Sequence, residues 1–196
     1  MILQAVIRVV LVCDKLKGDI EMSELNYSNS FPGVSEPGEP RMHFCFEITL
    51  TFPRVQNIDN MPSGAGRGAV YLDQGVISGP YLNGKLVPHS GGDYAMFRPD
   101  DTVELNARYM LEADDGTLIY MQNRGFLWGK YKDSMKKIKA WMFENGPEVS
   151  PDEYYLRANP VFEVEEGKYD WLTRYVFVGI GTRQKLGNTI RYYALL

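Results

Sequence analysis

Large apolar residues alternate with Glu47, Thr49 and Thr51 from Phe44 to Phe52, and this period of two, rich in β-formers, predicts a strand with one buried face. Gly64, Gly66 and Gly68 then punctuate the chain before Ala69–Leu72, and a turn at Gly75 leads into Val76-Ile77. After the break at Ser78-Gly79-Pro80, Asn83-Gly84 between Tyr81-Leu82 and Lys85-Leu86-Val87 is the strongest short hairpin signal in the chain. Ser90-Gly91-Gly92 predicts a turn, Asp93–Arg98 a strand, and Pro99-Asp100-Asp101 a further turn. Val103–Ala113 and Thr117–Arg124 flank Asp114-Asp115-Gly116 as a second hairpin. Tyr154–Val164, interrupted by Pro160, and Tyr175–Thr182 supply later strands, and Gly187-Asn188 turns into a last one, Thr189–Leu195. Strands at such regular spacing point to a sandwich or barrel and away from βαβ units.

One segment breaks the period. Tyr131 to Glu144 sets Met135, Ile138 and Met142 at helical spacing with Trp141 on the flank, and Asn145-Gly146-Pro147 supplies a stop. The spacing predicts an amphipathic helix over 131–144 that packs across a barrel end or sheet edge, its Met and Trp stripe serving as core. Residues 1–40 differ again: Ser23 to Pro40 is rich in Ser, Asn, Gly, Pro and Glu, the composition of a linker. The expected organisation is an N-terminal extension over 1–40, with an optional extra strand at 5–13, and a barrel domain over 41–196.

Composition narrows the function classes. A chain of 196 residues fits one domain, and 44% hydrophobic with 23% charged residues is ordinary globular usage. A net charge of −4 offers no footprint for a nucleic-acid backbone. Two cysteines, Cys13 and Cys45, cannot build a disulfide framework or complete a cysteine-based zinc site. Arg8 splits the apolar run Ala5–Cys13, which falls far short of the roughly 18 residues of a membrane span. No small-residue cleavage pattern follows it, so a cytoplasmic location is expected and no membrane partner.

Several chemistries find no support. His43 and His89 lack a companion at metal-ligand spacing, and no phosphate-loop, dinucleotide or nucleophile-elbow motif occurs, so neither metal nor nucleotide cofactor is expected. What remains is polar groups set in apolar strands. One face of the first long strand carries Val103, Leu105, Ala107, Tyr109 and Leu111, the other Glu104, Asn106, Arg108 and Met110. Its partner sets Leu118, Tyr120, Gln122 and Arg124 against Thr117, Ile119, Met121 and Asn123. Two accounts stay open. A solvated outer face would leave Arg108 and Arg124 in surface ion pairs. Alternatively Asn106, Arg108 and Arg124 reach the lumen or its mouth and hold a carboxylate, enolate or phenolate. Asp93 either caps a tight turn or serves as a buried base, and Glu163 is the other carboxylate in apolar surroundings. Tyr155 and Arg157 share a strand face and can converge on one ligand; Trp171 reads as a barrel-closing aromatic ahead of a stacking platform.

These stretches together resemble a known family. Pro80 to Pro88 running into Gly91-Gly92-Asp93-Tyr94 is similar to a recurrent block of the family called domain of unknown function 3237. Leu105 to Tyr109, Asp114 to Tyr120 and Asn123-Arg124-Gly125 resemble its centre. Tyr154 to Arg157, Pro160 to Glu163, Tyr169 to Leu172 and Phe177 to Gly181 resemble its later strands. The resemblance spans about residues 41–196 and implies a lipocalin-like or streptavidin-like antiparallel β-barrel. It implies recurrent polar positions at Asp93, Arg108, Tyr109, Asn123, Arg124, Tyr155, Arg157 and Glu163, and departs at Asn106 and Thr173, where the family usually shows Asp and Asn. An amide does not titrate, so an acid or base of the family at position 106 would be missing here.

The expected function is a small-molecule-binding barrel acting as a cofactor-independent enzyme. Its reaction would be an acid–base isomerisation, dehydration or cyclisation of a hydrophobic, oxygenated or aromatic substrate. Asp93 or Glu163 would be the base, Tyr109 or Tyr155 the proton donor, and Arg108 and Arg124 would stabilise negative charge. Asn106, Asn123, Arg157 and Trp171 complete the expected binding set. A non-catalytic carrier or sensor, and a structural barrel with a filled lumen, are the alternatives; homo-oligomerisation is left open.

Overall fold

A computed structural model describes residues 40–196. The expected strand at 5–13 and the linker before residue 40 lie outside the described residues. Twelve strand segments follow in chain order: β1 (Met42–Thr51), β2 (Arg54–Ile58), β3 (Gly66–Tyr71), β4 (Gln74–Ser78), β5 (Gly84–Leu86), β6 (Gly92–Asp93), β7 (Met96–Phe97), β8 (Val103–Ala113), β9 (Leu118–Gly129), β10 (Tyr154–Val164), β11 (Val176–Gln184) and β12 (Gly187–Leu195). A single α-helix among the described residues, α1 (Ser134–Phe143), sits between β9 and β10.

The segments make fewer walls than their number suggests. The β1–β4 ladder from Glu47↔Ser78 to Thr51↔Gln74 continues in the same register as β2–β3, from Arg54↔Tyr71 to Ile58↔Arg67. These four are one long hairpin, interrupted where Phe52 turns its N–H to Leu186 O (2.8 Å) and Pro53 has none to give. In the same way β5, β6 and β7 succeed one another along one edge of β8, through Leu86↔Leu111, Gly92↔Arg108 and Met96↔Glu104. The result is an eight-stranded antiparallel meander. It is closed by β12 on β1, from Met42↔Leu195 to Thr51↔Gly187, so the first and last walls leave no free edge between them.

Alternation fills the interior. Phe46, Ile48, Leu111, Ile119, Met121 and Ile190 all point inward and are essentially inaccessible. Toward one end, α1 lays Ile138 and Trp141 on Leu127, Val149, Tyr154 and Leu156. Each such side chain contributes about 1.5–3 kcal/mol of burial, which holds a short helix that has no side-chain N-cap. The helix stops as its sequence predicts: Asn145 takes a left-handed φ of 56° and the Gly146 N–H returns to Ala140 O at 2.9 Å. Toward the other end of β10, Phe162 meets Phe177 (5.2 Å between centroids), and Phe177 meets Trp171 (5.8 Å) from a 3-10 turn at Asp170–Thr173.

Three local expectations are corrected. Asn83-Gly84 does not form a two-residue hairpin; it ends a connection between β4 and β5, whose loop Asn83 clasps through its side-chain amide to Gly79 N and O. Gly84 is needed because a Cβ there would lie 2.2 Å from Glu112 O of β8. Gly187-Asn188 is not the turn either, since Gly187 already pairs with Gln184 and the turn is Lys185-Leu186. The strand expected over 93–98 is broken into β6 and β7.

Candidate active site in the barrel interior

A belt of polar side chains crosses the apolar interior. Asp93 on β6 pairs with Ala107 of β8, and Ala107 pairs with Asn123 of β9. Ala107 and Asn123 face inward and are buried, so the register turns Asp93 to the same side. One carboxylate oxygen, Asp93 Oδ1, accepts the Asn106 N–H at 2.8 Å, satisfying a backbone donor exposed by the break between β6 and β7. Tyr109, two residues along β8 from Ala107, is fully buried. Across the barrel Tyr192 of β12 accepts from Asn123 Nδ2 at 2.9 Å.

Arg183 completes the belt from β11, where Phe177, Gly179 and Gly181 set the inward face. Its guanidinium donates from Nη1 to Asn188 Oδ1 (2.7 Å), contacts Met142 Sδ of α1 through Nη2, and lies 5.5 Å from the centre of the Phe52 ring. Its backbone N–H donates to Tyr154 Oη at 2.9 Å. Tyr109 Oη faces the Tyr192 phenol. Two buried polar atoms of the belt make no hydrogen bond among the described residues: Asn123 Oδ1, an acceptor, and Arg183 Nε, a donor.

Burial sets the electrostatics. It pushes the Asp93 carboxyl up to about 6, against the opposing pull of the Asn106 N–H and the Arg183 charge. It also holds the Tyr109 and Tyr192 phenols well above their ordinary value, and pulls Arg183 down to about 10. Near neutrality the interior therefore presents a carboxylate poised to take a proton, two phenols that keep theirs, and a guanidinium that stays charged.

The other expected site residues are placed differently. Arg108 and Arg124 are exposed on the outer face, because the inward parity of β8 and β9 belongs to Ala107, Tyr109, Met121 and Asn123. The expectation that these guanidinia line the lumen is corrected, and Asn106 shares their outward parity, serving the interior only through its backbone N–H. Glu163 is exposed on the outer face of β10 opposite Tyr120, away from the belt. Tyr155 and Arg157 do converge, but outside: Tyr155 stacks on Trp128 at 5.2 Å and the Arg157 guanidinium sits 5.1 Å from the Tyr155 ring centre. Trp171 is buried in the aromatic cluster, 6.1 Å from Tyr81. Of the expected set, Asp93, Tyr109 and Asn123 share the interior. The sequence reading missed Arg183, Asn188 and Tyr192. The signal for Arg183 was present, a charged residue continuing the buried alternation of Phe177, Gly179 and Gly181. Among the described residues no cluster of three metal-ligating side chains occurs, and no helix is long and apolar enough to cross a membrane. Cys45 is buried, its thiol pushed up to about 11 by desolvation; Cys13 lies outside the described residues.

Known proteins share the family and the fold of this chain. A UPF0311 protein of Clostridium acetobutylicum is 32% identical over 152 residues, 76% of this chain and 90% of the relative. A crystal structure of a protein with unknown function from C. acetobutylicum ATCC 824 superposes with a TM-score of 0.71 at 29% identity, covering 82% of this chain and all of that one. A β-barrel like protein from Acinetobacter baumannii AYE gives 0.69 at 24% identity over 82% of this chain and 99% of its own. An enzyme from Penicillium herquei shares the fold at 0.59 and 19% identity, over 83% of this chain and 98% of its own. With residues 40–195 matched by the profile of the same family, the chain belongs to the family described as "Protein of unknown function (DUF3237)".

Proposed function

We propose that the barrel binds a small, largely apolar, oxygenated molecule in its interior and moves protons on it, as an isomerase, lyase or cyclase whose acid and base are its own side chains. The observation that carries this reading is the pair of buried, unpartnered polar atoms, Asn123 Oδ1 and Arg183 Nε, in the same belt as Asp93. Each orphaned group costs about 1–3 kcal/mol, and a binding partner that visits the interior recovers that cost. In this reading Asp93 removes a proton from carbon or oxygen of the ligand. The Tyr109 hydroxyl donates to the oxygen on which charge develops, and the surrounding Phe, Leu and Ile side chains keep that charge out of water. The same barrel architecture occurs in an enzyme from Penicillium herquei, which shows that the fold can host catalysis.

The test uses enolisable ketones and phenols in deuterated water, with deuterium incorporation followed by NMR. Wild-type protein is expected to accelerate exchange, and Asp93→Asn to abolish it while ligand affinity stays within about threefold. A second reading, a carrier, is favoured by the hydrogen bond from Asn106 N–H, which gives Asp93 a structural use. Binding without exchange or conversion in wild-type protein would establish the carrier and remove the catalytic proposal.

A further inference from the structure

We infer that the interior ligand carries an anionic oxygen, a carboxylate or a phenolate, and that the Arg183 guanidinium holds it. The inference rests on the ligand-binding part of the reading above and not on its chemistry. Arg183 is only 8% exposed. Among the described residues no carboxylate lies within ion-pair distance of it; its side-chain partners are the neutral Asn188 amide and the Met142 thioether, and its Nε–H is unused. A desolvated guanidinium normally sits against a carboxylate, because removing the charge from water costs several kcal/mol that neutral acceptors recover poorly. Arg183 has instead been fixed in place by Asn188, Met142 and the Phe52 ring, with the Asp93 carboxylate acting on it across the belt and no ion pair made.

Nearby chemistry refines the ligand. Asn123 Oδ1 calls for a donor on the ligand. An acid that also bears a hydroxyl satisfies both.

The experiment is a binding panel at about pH 8, where carboxylates and acidic phenols are ionised. Benzoate, 4-hydroxybenzoate and cinnamate form one arm and 4-nitrophenolate the other. Each is paired with its neutral methyl ester or ether and read by ligand-observed NMR and calorimetry. Wild-type protein is expected to bind members of at least one arm about tenfold or more tighter than their neutral partners. Arg183→Gln should shrink that preference to within about threefold, and Arg183→Lys should retain part of it. Equal binding of anion and neutral partner, no anion binding at about 1 mM, or an unchanged preference in Arg183→Gln would each overturn the assignment. Should Arg183→Gln fail to fold, the wild-type preference and the Lys variant decide the matter. Anion preference without deuterium exchange would remove the catalytic proposal alone; exchange on neutral ketones without anion preference would remove this inference alone.

Discussion

A carboxyl group held at about 6 by burial makes the protein's stability depend on pH in a direction opposite to that of a salt-bridged acid. Below its ordinary value of 3.8, Asp93 is protonated whether the chain is folded or not and adds nothing. As pH rises through about 6 the folded chain must ionise a desolvated group, and stability falls. Asp93→Asn keeps an oxygen for the Asn106 N–H and removes that penalty. It should raise stability by about 1–3 kcal/mol at pH 8, or several degrees in Tm, and by little at pH 4, as measured by thermal denaturation across that range. Equal effects at both pH values would show that Asp93 ionises freely. If Asp93 is the base, any proton-transfer rate should climb through the same pH, read from initial rates between pH 4 and 8. Tyr109→Phe removes the buried hydroxyl that faces Tyr192 and is expected to cost no more than about 1 kcal/mol in urea unfolding, while weakening turnover. Residue chemistry of this kind was half legible in the sequence. Asp93 stands out as a carboxylate ahead of an aromatic strand, and Tyr109 and Asn123 are positions that the family resemblance implies, but whether an arginine points in or out depends on parity. The apolar stems of Arg108 and Arg124 gave no hint of it.

At the level of elements, α1 depends on tertiary burial. Ten residues with no N-cap side chain would not hold a helix in water, so Ile138→Ala should cost about 2–4 kcal/mol and loosen the cluster that also contains Leu127 and Tyr154. Near-ultraviolet circular dichroism and urea titration check this; a loss below about 0.5 kcal/mol would mean that the helix is carried by local contacts. The β4–β5 connection makes a complementary case. Gly84→Ala pushes a Cβ against Glu112 O, and a cost of about 2 kcal/mol or more is expected in the same assay. The Asp114-Asp115-Gly116 hairpin was readable because its signal is local: Gly116 takes a φ of 87° and its N–H bonds Ala113 O at 2.8 Å. Asn83-Gly84 misled for the opposite reason. The dipeptide suits a type I′ turn, but the approach of β8 and the side-chain clasp on Gly79 claimed both residues for other work.

For the whole molecule, closure is the property with the most consequences. Amides along the β1–β12 seam, braced by the Thr49–Thr189 hydroxyl pair at 2.9 Å, should exchange with solvent as slowly as those between β8 and β9. The outer edge of β2, which pairs only with β3, should exchange faster by orders of magnitude. Hydrogen exchange followed by NMR measures both, and a fast seam would mean an open sheet. By itself the sequence determined the mostly β class, the helix with its stop and the principal strands, because period, turn residues and capping act over a few neighbours. Only the tertiary structure decided that β1–β2 and β3–β4 are single walls, that Arg108 and Arg124 face outward, and that Arg183, Asn188 and Tyr192 join Asp93 inside. Those outcomes follow from register between strands remote in sequence, and shifting one strand by a single residue would exchange every inward side chain for its outward neighbour.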